Sequence, residues 1–279
     1  MKIYYKVVWT CAIILTFILF FYTFSFAQES KEESLKNLSN TRDTWEIGPE
    51  ISYIQYKESG VKDKGTMYGI GGSYAYHNYI MLKAEGKFAY GQLDYDGSKW
   101  GSNKLVTVNG IPNYMLEFRG LLGYDFAANT IAITPFLGFG YRWLNDNMQE
   151  KSPGGYKRES NYLYLPIGLE VVANLGNGWS LGTTGEYDFF LRGEQKSFFS
   201  DNNPKENNIE NKQTKGYGVR GSIPIAKKGE KVGFVIEPYV KYWNIDDSDY
   251  QRYTSSRSKY AYEPKNNSTE IGCKLAITF

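Results

Sequence analysis

The sequence predicts an all-β chain, a transmembrane antiparallel up-and-down β-barrel of about ten strands. Three observations predict it. From Trp45 to Phe279, short segments alternate apolar and polar side chains with a period of two, the pattern of strands with two different faces. The apolar rows of these segments carry no Asp, Glu, Lys or Arg, whereas the opposite rows carry eighteen. The connections alternate long and short, as in membrane barrels with long extracellular loops and short periplasmic turns. A Lys or Arg facing lipid at the midplane costs about 2–4 kcal/mol, so lipid contact would enforce the exclusion. A soluble barrel or sandwich would put the apolar row inside and the charges outside.

The N-terminus fits export. Lys2 and Lys6 precede an uncharged apolar run from Val7 to Phe26, and Ser25-Phe26-Ala27 offers small residues at the positions a signal peptidase reads. Residues 1–27 therefore read as a secretory signal peptide, with an uncleaved anchor as the alternative. Its removal leaves 252 of 279 residues and lowers Lys+Arg from 32 to 30, equal to the 30 Asp+Glu. A near-neutral chain excludes a nucleic-acid partner, which would demand strong basic charge. Only Cys273 remains, so no internal disulfide can form. No later apolar run reaches helical membrane length, while 25 Tyr, 16 Phe and 29 Gly suit strands with one apolar face. Polar residues 28–43 read as a periplasmic lead and 44–279 as the barrel.

The first predicted strand sets Trp45, Ile47, Ile51 and Tyr53 against Glu46, Gly48, Glu50 and Ser52, before a polar loop over 57–65. The second sets Tyr68, Ile70, Tyr74 and Tyr76 against Gly69, Gly71, Ser73 and Ala75, and His77-Asn78 reads as a tight turn. The third sets Ile80, Leu82, Phe88 and Tyr90 against Lys83, Glu85 and Lys87, and a long loop over 93–110 follows. The fourth carries Tyr114 to Phe126 outward with Glu117, Arg119 and Asp125 inward. The fifth sets Ile131, Ile133, Leu137, Phe139, Tyr141 and Trp143 against Thr134, Gly138, Gly140 and Arg142, before a loop over 145–160. The sixth runs from Leu163 to Leu175 with Tyr164, Gly168 and Glu170 inward, and Gly176-Asn177-Gly178 signals a turn. The seventh sets Trp179, Leu181, Tyr187, Phe189 and Leu191 against Ser180, Thr184, Glu186, Asp188 and Arg192, and a charged loop over 193–214 follows. The eighth has Gly218, Arg220 and Ser222 inward; the ninth, after Lys227-Lys228-Gly229-Glu230, has Gly233, Glu237 and Lys241 inward. A loop over 245–267 leads to the tenth, Thr269 to Phe279.

Trp45, Tyr76, Tyr79, Phe126 and Trp179 fall at one set of strand ends and Tyr90, Tyr114, Trp143 and Tyr242 at the other, the places of two interfacial girdles. Pro49, Pro135, Pro166, Pro224 and Pro238 lie within strands. Each removes a ladder hydrogen bond, so register shifts, and counts of eight or twelve strands, stay open.

The alternating last strand, ending on Phe279, resembles the closing strand of bacterial outer-membrane β-barrels. The resemblance implies an outer-membrane location and a terminal aromatic read by the barrel-assembly machinery. It also implies outer-membrane lipid and lipopolysaccharide as partners. Strand count and loop layout resemble those of the omptin proteases, which activate water with an Asp pair and an Asp–His pair near the extracellular rim. The one histidine, His77, lies in a predicted periplasmic turn, so no position matches that Asp–His pair. Outer-membrane deacylases and phospholipases likewise need a His beside a Ser nucleophile.

The inward charges are the candidate site. Ten are acidic and eight basic, and Glu117, Arg119, Arg142, Glu170, Glu186, Asp188, Arg192, Arg220, Glu237 and Lys241 form the expected lumenal network. Glu186 and Asp188 could do acid–base work, but near-balance in a narrow lumen reads as a cross-linked plug. Gly69-Ile70-Gly71-Gly72 lacks the helix a nucleotide loop needs, and Asp246-Asp247-Ser248-Asp249 lacks calcium-loop spacing, so no cofactor or metal is expected. In the last long loop, Tyr250, Arg252, Tyr253, Arg257 and Lys259 are contact candidates. The expectation is a non-enzymatic structural or binding protein with adhesin-like loops. The alternatives are a narrow passive pore and an outer-membrane enzyme with an unrecognised lumenal or rim site.

Overall fold

The computed structural model describes residues 43–98, 105–128, 130–253 and 260–279. The expected signal peptide, the lead up to residue 42, Arg257 and Lys259 lie outside the described residues. The chain forms one closed antiparallel barrel of ten strands. They are β1 (Asp43–Glu58), β2 (Val61–Asn78), β3 (Ile80–Ser98) and β4 (Leu105–Tyr124, continued by Phe126–Ala128). β5 (Ile131–Asn147), β6 (Lys157–Gly176) and β7 (Trp179–Ser197) follow. β8 comes in three pieces, Ile209–Gln213, Gly216–Ser222 and Ile225–Lys227. β9 (Gly233–Ile245) and β10 (Asn266–Thr278) complete the wall. Chain neighbours pair throughout, and β10 returns to β1 from Glu46↔Thr278 to Glu58↔Asn266. Phe279 finishes the seam, its N–H donating to the Trp45 carbonyl at 3.0 Å and its carbonyl accepting from the Trp45 N–H at 2.9 Å. Closure pairs the backbone edges that an open sheet would expose.

Inside and outside follow the alternation. Tyr68, Leu137 and Ile271 stand exposed on the outer wall, while Glu117, Glu186, Asp188 and Glu270 are buried within. Outward aromatics cluster near the end where β1 begins and β10 finishes, the periplasmic end in an outer-membrane barrel, where Trp45 meets Tyr74 at 4.7 Å and Trp179 meets Phe234 at 5.7 Å. A second ring has Tyr90 against Tyr114 at 5.1 Å and Tyr217 against Tyr242 at 6.2 Å. These are the two girdles expected of a lipid-embedded band.

The first seven strands run 16 to 20 residues, longer than the roughly 9–11 a membrane requires. Much of what read as loop over 57–65, 93–110, 145–160 and 193–214 is strand continuing past the outer girdle. There both faces are polar, as at Lys57 and Glu58 of β1, so the period-two signal vanishes although the ladder persists. The β2–β3 turn also falls later than expected. His77 stays paired with Met81, and Tyr79 turns the chain at φ 60°.

The prolines do not invert a strand, and Pro49, Pro135 and Pro166 keep their cross-strand partners. Pro224 separates two pieces of β8, and Pro238 sits in the ladder opposite Cys273. The shift that does invert faces lies elsewhere. Leu163 pairs with Arg192 while Tyr164 pairs with Phe190, so β7 holds Leu191 as an extra residue. Such a bulge puts two successive side chains on one face. Arg192 therefore points outward, its side chain 54% exposed, and does not join the lumenal network as expected.

Candidate functional site

The interior is built in three storeys. Nearest the periplasmic mouth, Met81, Leu121 and Phe136 pack together. Beside them Thr134 donates to the buried Asp125 at 2.7 Å, and His77 Nδ1 meets the same carboxylate at 2.9 Å. His77 is thus a paired strand residue, not the turn residue the sequence suggested.

Above lies a belt of matched charge. Lys83 bridges Glu85 at 3.0 Å and Glu170 at 4.0 Å, and Glu85 meets Arg119 at 3.1 Å. Arg119 reaches across to Glu186, which meets Arg220 at 3.2 Å. Arg220 also holds Asp188 at 2.6 Å and Glu117 at 2.7 Å, and Lys241 holds Glu117 at 3.0 Å. On the opposite wall Lys87 joins Glu50 and Glu270, with the Tyr239 hydroxyl 3.0 Å from the Lys87 ammonium. Arg142 approaches Glu270 at 3.8 Å, and Lys274 pairs with Glu46 and Glu237. Nine carboxylates and seven cations take part, and each carboxylate touches a cation. A cavity of about 130 Å³ lies among them. Burying such ions is costly unless they are paired and hydrogen-bonded, and here the strand register supplies the partners. Of the expected network all residues but Arg192 converge in this belt.

An apolar septum closes the belt above. Ile54, Met67, Ala89, Leu93 and Met115 form one half and Tyr162, Tyr164, Phe190, Trp243 and Ile245 the other, with Leu144 packed against both. Tyr164 ties the septum to the belt through its hydroxyl, 2.8 Å from Glu117. Phe190 joins it because it precedes the bulge and still faces inward.

The third storey is an extracellular vestibule above the outer girdle. Arg158 meets Glu58 at 3.7 Å and also Glu263, while the Tyr56 hydroxyl lies 2.7 Å from Glu58 and 3.0 Å from Glu263. Asp63 is 6% exposed, and its Oδ1 has no hydrogen-bond partner. Burial, then the charge of Asp146, pushes the Asp63 carboxyl up to about 8. Burial likewise raises Asp146, and raises Glu263 despite Arg158. A cavity of about 80 Å³ is lined by Asp63, Asp146, Asn113, Gln195, Trp243 and Arg158 among others. The sequence gives no sign of this storey, because its residues lie where both strand faces are polar.

Of the loop candidates, Tyr250 is exposed and lies 4.7 Å from Tyr262, and Arg252 is exposed. Tyr253 is not a free contact residue: it is buried against Phe199 and Ile209. That small cluster anchors the loops to one another, which a Tyr amid polar residues gave no way to foresee.

No family model and no curated protein matches the chain. Among solved structures, the outer membrane protease OmpT from Escherichia coli is similar with a TM-score of 0.61 at 9% identity, over 86% of this chain and 97% of that one. The fold is that of a bacterial outer-membrane β-barrel. The toluene transporter TodX of Pseudomonas putida matches at a TM-score of 0.35 and 9% identity, covering 91% of this chain and 93% of that chain. Neisserial surface protein A matches at 0.30 and 11%, covering 84% and 97%. The likeness to OmpT is one of fold. Among the described residues the one histidine sits at the periplasmic mouth, so no Asp–His pair stands at the extracellular rim.

Proposed function

We propose that the protein is a non-enzymatic, non-conducting barrel of the bacterial outer membrane that acts as a structural or binding protein through its extracellular half. The observation that carries this reading is the charge belt from Lys83 and Arg119 across to Glu186, Arg220 and Lys241, roofed by the Tyr164–Trp243 septum. Paired charges held by several strands cross the path an ion would take, and a ring of apolar side chains above them adds a dewetted barrier. Outer-membrane lipid and lipopolysaccharide are the surroundings of the outer wall, and Phe279 is the residue offered to the barrel-assembly machinery. The exposed Tyr250–Tyr262 pair and Arg252 are the adhesin-like contacts.

The test is single-channel current in a planar bilayer, wild type against Glu186→Ala. The expected outcome is little current in the wild type and intermittent leak in the variant, since removing Glu186 leaves Arg119 and Arg220 short of a partner. A steady, large, ion-selective current in the wild type would replace this reading with the passive pore. Deleting Phe279 should separately lower the amount of heat-modifiable, membrane-assembled barrel; undiminished assembly would remove its signalling role.

A further inference from the structure

Between β9 and β10 the chain folds a small two-stranded ribbon, Gln251–Arg252 against Tyr260–Ala261, separate from the barrel sheet. Its register sets Arg252 opposite Tyr260 and Gln251 opposite Ala261. Cross-strand partners share a face, and residues two apart return to it. Tyr250 and Tyr262 therefore extend the row of Arg252 and Tyr260. The two faces differ. On the lower one Tyr253 and Ala261 pack against Phe199 and Ile209. Asn211 Nδ2 fastens that side, donating to the Asp249 carbonyl at 2.7 Å and the Ala261 carbonyl at 3.2 Å. The upper face carries Tyr250, Arg252, Tyr260 and Tyr262, all four exposed. Tyr250 and Tyr262 lie ring to ring at 4.7 Å, and Tyr250 remains 66% exposed. Among the described residues Arg252 forms no ion pair, because the acids of its loop are engaged elsewhere. Asp246 and Asp247 hold Lys265, Asp249 holds Gln251 and the Lys212 N–H, and Glu263 holds Arg158.

We propose that this platform binds an acidic saccharide, a pyranose ring laid against the exposed Tyr rings and its carboxylate held by Arg252. Size selects against a protein. The platform has four side chains, whereas a stable protein interface uses about 20–30 residues a side. One or two sugar rings would cover it. Chemistry then selects among small ligands. A pyranose shows C–H bonds on its faces and hydroxyls around its edge. A Tyr ring offers an electron-rich face to those C–H bonds and a phenol to those hydroxyls. The platform contains no Leu, Ile, Val or Met, which an acyl chain or an apolar peptide would use. Arg252 selects the charge, since a guanidinium makes two parallel hydrogen bonds to one carboxylate. Height selects the source. Phe199, under the ribbon, lies beyond Ser197 at the end of β7, and Ser197 is eight residues past Phe189, which pairs with Tyr217 of the outer girdle. At about 3.3 Å per residue, that stretch lifts the ribbon clear of the lipid headgroups. The saccharide is therefore one borne by another surface, not by the cell's own envelope.

This inference rests on the binding reading above and names its ligand class, but its test reads sugar contact, not current, so either can fail alone. The full-length barrel, folded in detergent micelles free of lipopolysaccharide, is titrated with methyl glucuronide, methyl glucoside and acetate, and saturation-transfer NMR follows the ligand C–H signals. Saturable binding is expected for the glucuronide, weaker binding for the glucoside and none for acetate. Tyr250→Ala should weaken both sugars roughly three- to tenfold. Arg252→Gln should bring the glucuronide down to the level of the glucoside, whose own binding stays unchanged. Both side chains are exposed, so neither variant disturbs the barrel. Absence of saturation with the glucuronide at tens of millimolar would overturn the proposal, as would acetate binding as tightly as the glucuronide or binding indifferent to either variant. Displacement of the glucuronide by added lipopolysaccharide would assign the platform to the cell's own envelope. A barrel dimer in light scattering that Tyr250→Ala dissolves would assign it to a second copy of the chain. Either result would overturn the proposal too.

Discussion

The belt and the vestibule are stacked in one barrel and use the same residue types, yet they treat charge in opposite ways. In the belt each of nine carboxylates touches a Lys or Arg, and Arg220 alone serves Glu117, Glu186 and Asp188. In the vestibule Glu58 and Glu263 share Arg158, while Asp63 and Asp146 have no ion partner among the described residues. The belt lies at the depth of the lipid band, where water is scarce and an unmatched ion would be most costly. The vestibule stands above the girdle, where carboxyls can hold a proton or await a counter-ion. Matched charge makes a lock; unmatched carboxyls hold on to their protons.

The largest expected effect breaks the lock. Arg220→Leu takes a partner from three carboxylates, leaving Asp188 with no cation while Glu117 keeps Lys241 and Glu186 keeps Arg119, and should cost about 3–5 kcal/mol, the usual loss when one member of a buried pair is removed. Arg158→Leu should cost far less, about 1–2 kcal/mol, because Glu263 already leans toward its protonated form and can become neutral. Urea unfolding in micelles, followed by tryptophan fluorescence, measures both, and equal losses would erase the distinction between the two storeys.

A second contrast uses the outer wall at the same two heights. Leu137, 57% exposed at belt level, faces lipid, so Leu137→Arg should cost about 2–4 kcal/mol and reduce assembly. Gln55 occupies the outward row of β1 above the girdle, and Gln55→Arg should stay within about 0.5 kcal/mol, as surface changes do. Heat-modifiable gel mobility after outer-membrane fractionation reports the result. Comparable assembly of the two variants would move the lipid boundary.

A third contrast is one of pH. The Asp63 carboxyl titrates near 8 in the folded chain and at about 4 when unfolded. Between those values the folded state holds the extra proton, so this group makes stability fall as pH rises from about 4 to about 8. Asp63→Asn removes that contribution, and its melting temperature should decline less than that of the wild type over this window. Asp146 and Glu263, also raised, keep part of the slope. Parallel melting curves would show that Asp63 is ordinary and remove the charge imbalance from the vestibule.

Period-two alternation and the charge-free apolar rows determined the barrel, its facing and most of the belt from sequence alone. Both signals arise locally, because a strand presents successive side chains to opposite faces and lipid tolerates no charge on one of them. Phe279 likewise marked the closing strand, whose seam the Trp45 backbone completes. Three things waited for the tertiary structure. One extra residue at Leu191, opposite Leu163 and Tyr164, turned Arg192 out of the lumen, and no local composition marks such a bulge. The burial of Tyr253 depended on Phe199 and Ile209, distant in the chain. The vestibule came from strands that outlast the membrane. Once both faces are polar the alternation carries no information, and only the pairing of β1, β2, β5 and β6 brings Tyr56, Asp63, Asp146 and Arg158 around one cavity.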